Sequence, residues 1–291
     1  MRSPRGEPFQ LHVARLLIIG VILFPAVVEA QQRWLTIPVT PALPARTSEG
    51  KVVREDALIW YATFGDAAKP AVLLLHGGGG NSEYWGHLAR DLMRDYRVIV
   101  LDCRGQGRST NDATAISYEQ MADDAIAVLN QTGIKQTSVV GWSDGANIGF
   151  YLALRYPERV STLVAFAGNA TPAGYQPNTN HATMEAYGKS TRAEYRKLSP
   201  HPEKLDVVSR LLSVMWKTQP TLTAKDLASI KVRTAIFHAE HDEVIRRAHS
   251  QEIAAQIPNA RFVLLRSVSH FALLQDPAGF NEAVRTFLAE R

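Results

Sequence analysis

Short apolar runs alternate with helix-like segments along most of the chain. The runs fall at residues 58–63, 71–75, 98–101, 138–140, 163–166, 234–237 and 262–265. Several of them are apolar at consecutive positions, which is typical of parallel strands that helices cover on both faces. Strand–helix alternation of this kind implies right-handed crossovers, so the sequence predicts an open α/β sheet.

Two of the intervening segments carry clear helix signals. Ser117 and Gln120 have the spacing of a capping box, and Gly133 is suited to closing the helix that follows. Near the C-terminus, Asp276 is a good N-cap residue, and Pro277 stands at the first helical position. We therefore predict helices that begin after Ser117 and after Asp276.

The first 30 residues have the pattern of a secretory signal peptide. Arginines precede a mainly apolar run of 13 residues over 16–28, which is too short to cross a bilayer because a span needs about 20. Small residues then lead up to Ala30, so we expect cleavage after Ala30 and export to the periplasm or beyond. An uncleaved membrane anchor is the alternative, whereas cleavage would leave no stable membrane span.

The rest of the chain is consistent with one domain that carries an insertion. Residues 31–50 hold three prolines and little periodicity, which indicates an extended lead-in, and 51–291 form the predicted α/β domain. Between about 171 and 223 there is no clear strand pattern, but helix-like pieces occur around 183–198 and 203–217. We predict that this insertion forms a helical lid over the carboxyl edge of the sheet.

Composition excludes several classes of function. The net charge of +4, from 32 Lys and Arg against 28 Asp and Glu, is small and scattered, so we expect no nucleic-acid partner. The single cysteine, Cys103, excludes an intramolecular disulfide and a cysteine-based metal cage. We expect a small-molecule substrate, while the sequence leaves the oligomeric state open.

A candidate nucleophile lies in the segment 141–145, Gly-Trp-Ser-Asp-Gly, which matches the pattern G-x-S-x-G. The segment follows the strand-like run 138–140 and precedes a helix-like stretch over 146–156. A strand–turn–helix is the context that this pattern requires, because the sharp turn presents the serine hydroxyl above the sheet. Ser143 is therefore the predicted nucleophile.

A serine needs a base and a group that orients the base. His270 and Asp242 each follow a strand-like run, where open α/β sheets place their chemistry. The chain order Ser143, Asp242, His270 is the order that this architecture requires. Glu240 or Glu243 could replace Asp242 as the acid.

The same region could instead be a metal cluster formed by His238, Glu240, His241 and Asp242. The two histidines are three residues apart on a strand-to-loop segment, so their side chains need not converge. We therefore expect neither a metal nor an organic cofactor, with His238 packed at a strand end and His241 at the surface. His249 is expected to be a solvent-exposed helix residue.

Four glycines follow the run 71–75, in the segment 76–81, His-Gly-Gly-Gly-Gly-Asn. Glycines leave backbone N–H groups unobstructed, and no Lys-Ser/Thr pair follows, so this is not a phosphate loop. Tetrahedral intermediates need N–H donors aimed at the developing oxyanion. We expect these donors to be the backbone N–H groups of Gly78 and Asp144.

The motifs above resemble those of the α/β-hydrolase fold family in identity and order. The resemblance covers about residues 50–291 and rests on His76-Gly77-Gly78, Asp102-Cys103-Arg104-Gly105-Gln106-Gly107-Arg108-Ser109, Gly141–Gly145, Asp242 and His270. It implies a mostly parallel eight-stranded sheet with helices on both faces, a nucleophile elbow and a helical lid after the sixth strand.

Within that family, Gly-Trp-Ser-Asp-Gly is similar to the elbow of biphenyl-hydrolase-like and valacyclovir-hydrolase-like esterases. In that group the acid after the serine is linked with recognition of a substrate amino group, a role that would fall to Asp144. The alternative is that Asp144 only complements the positive end of its helix. Other candidate substrate-binding residues are Trp142 in the elbow and Tyr175 and Trp216 in the lid.

The sequence thus predicts an exported, carboxylesterase-like serine hydrolase. Its substrate would be a small carboxylic ester, thioester or lactone, cleaved through an acyl-enzyme by Ser143, His270 and Asp242. The same triad could instead perform C–C bond hydrolysis, aminopeptidase or perhydrolase chemistry. A non-catalytic ligand receptor on the same fold is a further alternative.

Overall fold

A computed structural model describes Met1 and residues 32–178 and 181–290 of the 291-residue chain. The predicted signal peptide, apart from Met1, and its cleavage site after Ala30 lie outside the described residues. Among the helices within these ranges, none is long and apolar enough to cross a membrane.

One sheet of eight strands organises the molecule, with the order β1-β2-β4-β3-β5-β6-β7-β8. The β1–β2 and β2–β4 pairs are antiparallel, and the other five pairs are parallel. The predicted α/β fold with a mostly parallel sheet is confirmed. The strands are β1 Ser48–Arg54, β2 Ala57–Phe64, β3 Ala71–Leu75, β4 Arg97–Leu101, β5 Thr137–Trp142, β6 Val160–Phe166, β7 Arg233–Ala239 and β8 Arg261–Leu265.

The strand β1 has no counterpart among the predicted runs. It lies at the edge of the sheet, and only Val52 of its residues is buried, so its sequence contains no apolar run. The predicted boundary between the lead-in and the domain, at residue 50, falls inside this strand, and the sheet begins at Ser48. An edge strand with a solvent-exposed face needs few apolar residues, which explains the error.

Nine α-helices occur in the described residues. Side chains of these helices contribute to the apolar cores on both faces of the sheet. They are α1 Gly86–Leu92, α2 Tyr118–Gln131, α3 Asp144–Arg155, α4 Ala182–Leu198, α5 Leu205–Thr218, α6 Ala224–Ser229, α7 Arg247–Gln256, α8 Ala272–Gln275 and α9 Pro277–Ala289.

The helix starts partly match the sequence signals. Asp276 caps α9 as predicted, since its side chain accepts a hydrogen bond from the Gly279 N–H. Ser117 likewise accepts from the Gln120 N–H, but the Gln120 amide donates to Asp56, so only half of the predicted box forms. A complete capping box is present at α6, where Thr223 and Asp226 bond reciprocally.

The strand β3 shows why its sequence is apolar throughout. Leu73 and Leu75 belong to the core on one face of the sheet, whereas Val72 and Leu74 belong to the core on the other. All four side chains are completely buried. Helices cover both faces, so alternation between apolar and polar residues is lost in the central strands.

The chain between β6 and β7 carries α4 and α5, which we call the lid helices. Tyr187 of α4 donates a hydrogen bond from its hydroxyl to the Gly78 carbonyl, at 3.0 Å. Trp216 of α5 donates from its indole N–H to the Asp144 carboxylate, at 2.8 Å. Both helices are therefore attached just beyond the carboxyl ends of central strands, α4 to the loop after β3 and α5 to the start of α3.

The lead-in packs against the domain. The Trp34 ring stacks on His241 with 4.1 Å between ring centroids. Arg33 donates to the Ser267 carbonyl and forms an ion pair with Asp276. These contacts fasten the lead-in to the loops that follow β7 and β8.

Candidate active site

Ser143 lies in a tight turn between β5 and α3. Its backbone has φ 55° and ψ −117°, a region that costs about 1–3 kcal/mol for a residue with a side chain. Hydrogen bonds hold the strained turn, because the Ser143 N–H donates to the Phe166 carbonyl and the Ser143 carbonyl accepts from the Ala146 and Asn147 N–H groups. The sequence therefore folds into the predicted strand–turn–helix.

Two glycines make this turn possible. A Cβ at Gly141 would overlap the backbone of Gly145, and a Cβ at Gly145 would overlap the Leu75 carbonyl. Strand β5, helix α3 and the end of β3 therefore approach too closely for any larger residue at either position. The spacing of glycines around Ser143 has a steric cause.

His270 and Asp242 meet in the loops after β8 and β7. The His270 Nδ1 atom lies 3.1 Å and 3.2 Å from the two carboxylate oxygens of Asp242. Asp242 Oδ1 also accepts the backbone N–H groups of Val244 and Ile245, at 2.9 Å and 2.8 Å. These bonds fix the carboxylate, which in turn fixes the orientation of the imidazole ring.

Burial and charge act in opposite directions on this pair. Burial lowers the pKa of His270, but the Asp242 carboxylate favours the charged ring, so the pKa is raised above the ordinary value of 6.5. For Asp242, burial raises the pKa, but His270 and backbone N–H groups outweigh it, so the pKa is lowered. The pair thus favours an ionised carboxylate beside a ring that readily takes up a proton.

A cavity of about 660 Å³ opens above the elbow, between the sheet and the lid helices. It brings together the predicted site residues apart from Asp242, which contacts His270 Nδ1. Those that line the cavity are Gly78, Trp142, Ser143, Asp144, Tyr175, Trp216 and His270. The Trp142 indole also donates to the His270 carbonyl at 2.8 Å, which ties the elbow to the histidine loop.

The glycine loop after β3 borders the same cavity. The Gly79 N–H donates to the Gln106 side chain at 2.6 Å, and the Gly80 N–H donates to the Gly77 carbonyl at 3.1 Å. A Cβ at Gly78 would overlap the Asp144 carboxylate. Gly78 therefore lies directly beside the first residue of α3, where helix N–H groups have no intrahelical partner.

The Asp144 side chain is buried and already accepts two hydrogen bonds. The Tyr118 hydroxyl donates at 2.7 Å, and the Trp216 indole donates at 2.8 Å. Burial raises the pKa of this carboxyl, although both hydrogen bonds act in the opposite direction. Asp144 thus links the elbow to the lid helix α5, and recognition of a substrate amino group by this side chain stays a prediction.

The contacts that Glu243 makes are not predictable from the sequence. One carboxylate oxygen accepts the His270 backbone N–H at 3.0 Å, and the other accepts the Thr183 hydroxyl of α4 at 2.5 Å. Glu240 accepts the Ser267 N–H instead. Neither glutamate contacts the imidazole ring, and Glu243 joins the lid to the backbone of His270.

The remaining histidines have structural contacts. His238 is buried, with Nδ1 at 3.0 Å from the Ser250 hydroxyl, and His241 stacks on Trp34 at the surface. The predicted exposure of His249 is wrong, because this side chain is buried and its Nε2 accepts the Ala170 N–H at 3.0 Å. Among the residues that the structure describes, no group of three or more His, Cys, Asp or Glu could hold a metal ion.

Comparisons with known proteins agree with this architecture. The model of the α/β hydrolase fold family matches residues 70–194. RutD of Caulobacter vibrioides, named as a proposed carbamate hydrolase, is 28% identical over 247 residues, which cover 76% of this chain and 91% of RutD. The mouse sn-1-specific diacylglycerol lipase ABHD11 is 26% identical and matches 88% of this chain and 94% of its own.

Solved structures show the same likeness. Est816, described as an N-acyl homoserine lactone degrading enzyme, superimposes with a TM-score of 0.65 at 27% identity, over 82% of this chain and all of its own. The enol-lactonase from Burkholderia xenovorans LB400 shares the fold, with a TM-score of 0.67 at 21% identity over 83% of this chain and all of its own. The sheet order, the elbow and these matches lead to one conclusion: the chain has the α/β-hydrolase fold.

Proposed function

We propose that this hydrolase cleaves a small carboxylic ester, thioester or lactone through an acyl-enzyme. One arrangement carries the proposal: Ser143, in its strained turn, faces the same cavity as His270, whose Nδ1 contacts Asp242. A serine hydroxyl becomes a competent nucleophile only with an oriented base nearby. This pairing supports nucleophilic acyl chemistry over a passive ligand receptor.

The steps follow from the roles of the three side chains. The Ser143 hydroxyl attacks the substrate carbonyl, and its proton passes to His270 Nε2 while Asp242 stabilises the imidazolium. The bond to the leaving group then breaks, and His270 protonates that group. Water repeats the sequence on the acyl-enzyme, with His270 again taking and returning a proton, and releases the acid.

The negative charge that develops on the carbonyl oxygen needs donors in place before reaction. We assign this role to the backbone N–H groups of Gly78 and Asp144, which border the cavity on the glycine loop and at the start of α3. Loss of one such donor reduces turnover by about 10²–10³-fold in related chemistry.

Carbamates are a second candidate substrate class, because RutD, 28% identical to this chain, is named for carbamate hydrolysis. A lactone receives similar support from Est816. All these substrates present a carbonyl to the serine, so the same residues could act on each. C–C bond hydrolysis, aminopeptidase and perhydrolase activity are further uses of the triad, and they belong in the same substrate panel.

The test is turnover of p-nitrophenyl esters, thioesters, lactones and carbamates by the purified protein and by Ser143→Ala. We expect the wild-type protein to hydrolyse at least one of these classes, and Ser143→Ala to lose activity by a factor of at least about 10³. Ser190→Ala, an exposed serine of α4, is the matched control and should retain wild-type turnover. Unchanged hydrolysis by Ser143→Ala would refute the proposal.

We also propose that the chain is exported and cleaved after Ala30. The arginines, the short apolar run over 16–28 and the small residues before the cut support this. A cut at this site would leave Arg33 and Trp34 on the domain. The N-terminal sequence of the protein isolated from periplasm or culture medium tests it. A mature chain that begins at Gln31 is expected, whereas an intact leader found in the membrane fraction would contradict cleavage.

A further inference from the structure

The opening of the cavity is marked by two positively charged side chains. Of the described residues that line the cavity, only Arg192 and Lys217 are exposed. Arg192 belongs to α4 and Lys217 to α5, so one comes from each lid helix. We call these two residues the rim pair.

The rim pair is unpaired within the described part of the chain. Among residues 32–178 and 181–290, neither side chain has an ion pair or a hydrogen bond. Lys204 pairs with Asp112, but the other basic side chains of α4 and α5 have no ion pair among the described residues either. What distinguishes Arg192 and Lys217 from them is that both line the cavity. An unpaired guanidinium and ammonium beside one cavity are available to bind an anion that enters it.

The only carboxylate among the described lining residues is Asp144, which lies against the elbow. It accepts from Tyr118 and Trp216 and is buried. The charges along the cavity are thus ordered, with a carboxyl group at the catalytic end and cations at the solvent end. A substrate with one anionic end is favoured in a single orientation, with its anion at the rim.

Most of the net positive charge of the chain lies in the lid. Residues 182–218 contain seven Lys and Arg but only four Asp and Glu, an excess of three, against an excess of four for the whole chain. The expectation that the positive charge is scattered is therefore wrong, because the lid carries most of it. The field of the lid favours the approach of anionic substrates.

We propose that the rim pair binds a carboxylate of the substrate, at the end remote from the scissile carbonyl. This inference rests on the proposed function and narrows its substrate class to esters or lactones that carry a distal carboxylate. On α4, Arg192 lies five residues beyond Tyr187, which contacts the glycine loop, and five residues correspond to about 7.5 Å of helix. This rise separates Arg192 from the contact with the glycine loop, so the test uses substrates with a spacer of several methylenes.

The test compares mono-p-nitrophenyl esters of adipic, pimelic and suberic acid with the matching ω-carboxamides, which have similar size but no charge. Water adds across the acyl–oxygen bond and releases p-nitrophenol and the diacid or its amide. We expect kcat/KM to favour the carboxylate over the amide by about tenfold at low salt. The preference should decrease in 0.5 M NaCl, because salt screens exposed charges.

The double variant Arg192→Gln/Lys217→Gln should reduce this preference to near unity. The matched control is Lys189→Gln/Lys197→Gln, which removes two exposed cations of α4 that do not line the cavity. This control should keep most of the preference. An equal loss in both double variants would overturn a specific site in favour of the general field of the lid.

Binding separates this inference from the proposed function. Calorimetry with adipic acid monoamide and with adipamide requires no turnover, and we expect only the carboxylate to bind measurably and only with the rim pair intact. Equal affinity for both ligands, or no preference for the charged ester, would overturn the inference. Hydrolysis of neutral esters in that case would leave the proposed function standing.

Discussion

The carboxyl edge of the sheet and the lid above it are held in different ways. At the sheet edge, Asp242 is completely surrounded by its partners, with His270 Nδ1 and two backbone N–H groups on the carboxylate. The lid is joined to this edge by separate side-chain bonds, such as those of Thr183 and Trp216. Converging hydrogen bonds therefore position the reacting groups. The lid instead packs apolar side chains such as Leu212 and Met215 on the core and lines the cavity, so it is suited to selecting substrates.

The largest effect on activity should come from a substitution of Asp242 at the carboxyl edge of the sheet. Asp242→Asn keeps the shape of the side chain but removes the charge that stabilises the imidazolium, so we expect kcat to fall by about 10⁴-fold. Steady-state kinetics on the best ester of the panel measures this. Asp206→Asn, an exposed acid of α5, is the control, and a loss below tenfold in Asp242→Asn would argue against a catalytic acid.

The next largest effect should be the loss of activity at acid pH. His270 must be neutral to accept a proton from Ser143, and its pKa is raised above 6.5 because the Asp242 carboxylate outweighs the effect of burial. Activity should therefore fall about tenfold per pH unit on the acid side, with a midpoint of kcat/KM above 6.5. A pH profile with its acid midpoint well below that value would contradict the pairing.

A smaller effect should follow when the lid is detached from the sheet edge. Thr183→Val removes the hydroxyl that donates to Glu243, which holds the His270 backbone N–H. The bond to the Glu243 carboxylate contributes about 1.5–3 kcal/mol to the attachment of the lid. We expect kcat to fall only by a few fold, because His270 keeps its contacts with Asp242 and Glu243.

Thr183→Ser is the matched control for that change, because it retains the hydroxyl. It should restore most of the turnover, and the acid midpoint of kcat/KM should be the same in both variants. If Thr183→Ser is as slow as Thr183→Val, the methyl group and its packing matter rather than the bond to Glu243.

The central strands were predictable because their environment leaves a simple pattern. Residues of β3 are buried on both faces, so the run 71–75 is apolar throughout. The edge strand β1 buries only Val52 and therefore gives no such signal. Sequence patterns report burial, and an edge strand has little of it.

The candidate site could likewise be predicted only in part from the sequence. Ser143, Asp242 and His270 could be chosen from motif and chain order, because the turn and the strand ends have local signatures. The contact of Glu243 with Thr183, and the burial of His249 beneath Gly174, depend on segments that are distant in sequence. Such contacts arise only when the fold brings the segments together.

The most direct test of the central claim is covalent labelling of the wild-type protein with a fluorophosphonate, followed by peptide mass spectrometry. We expect a single phosphonylated site at Ser143, because among the described serines only this one combines a strained turn with an oriented histidine in the same cavity. Labelling should disappear in Ser143→Ala and persist in Ser190→Ala. A protein that hydrolyses esters but is labelled at another residue, or not at all, would contradict Ser143 as the nucleophile.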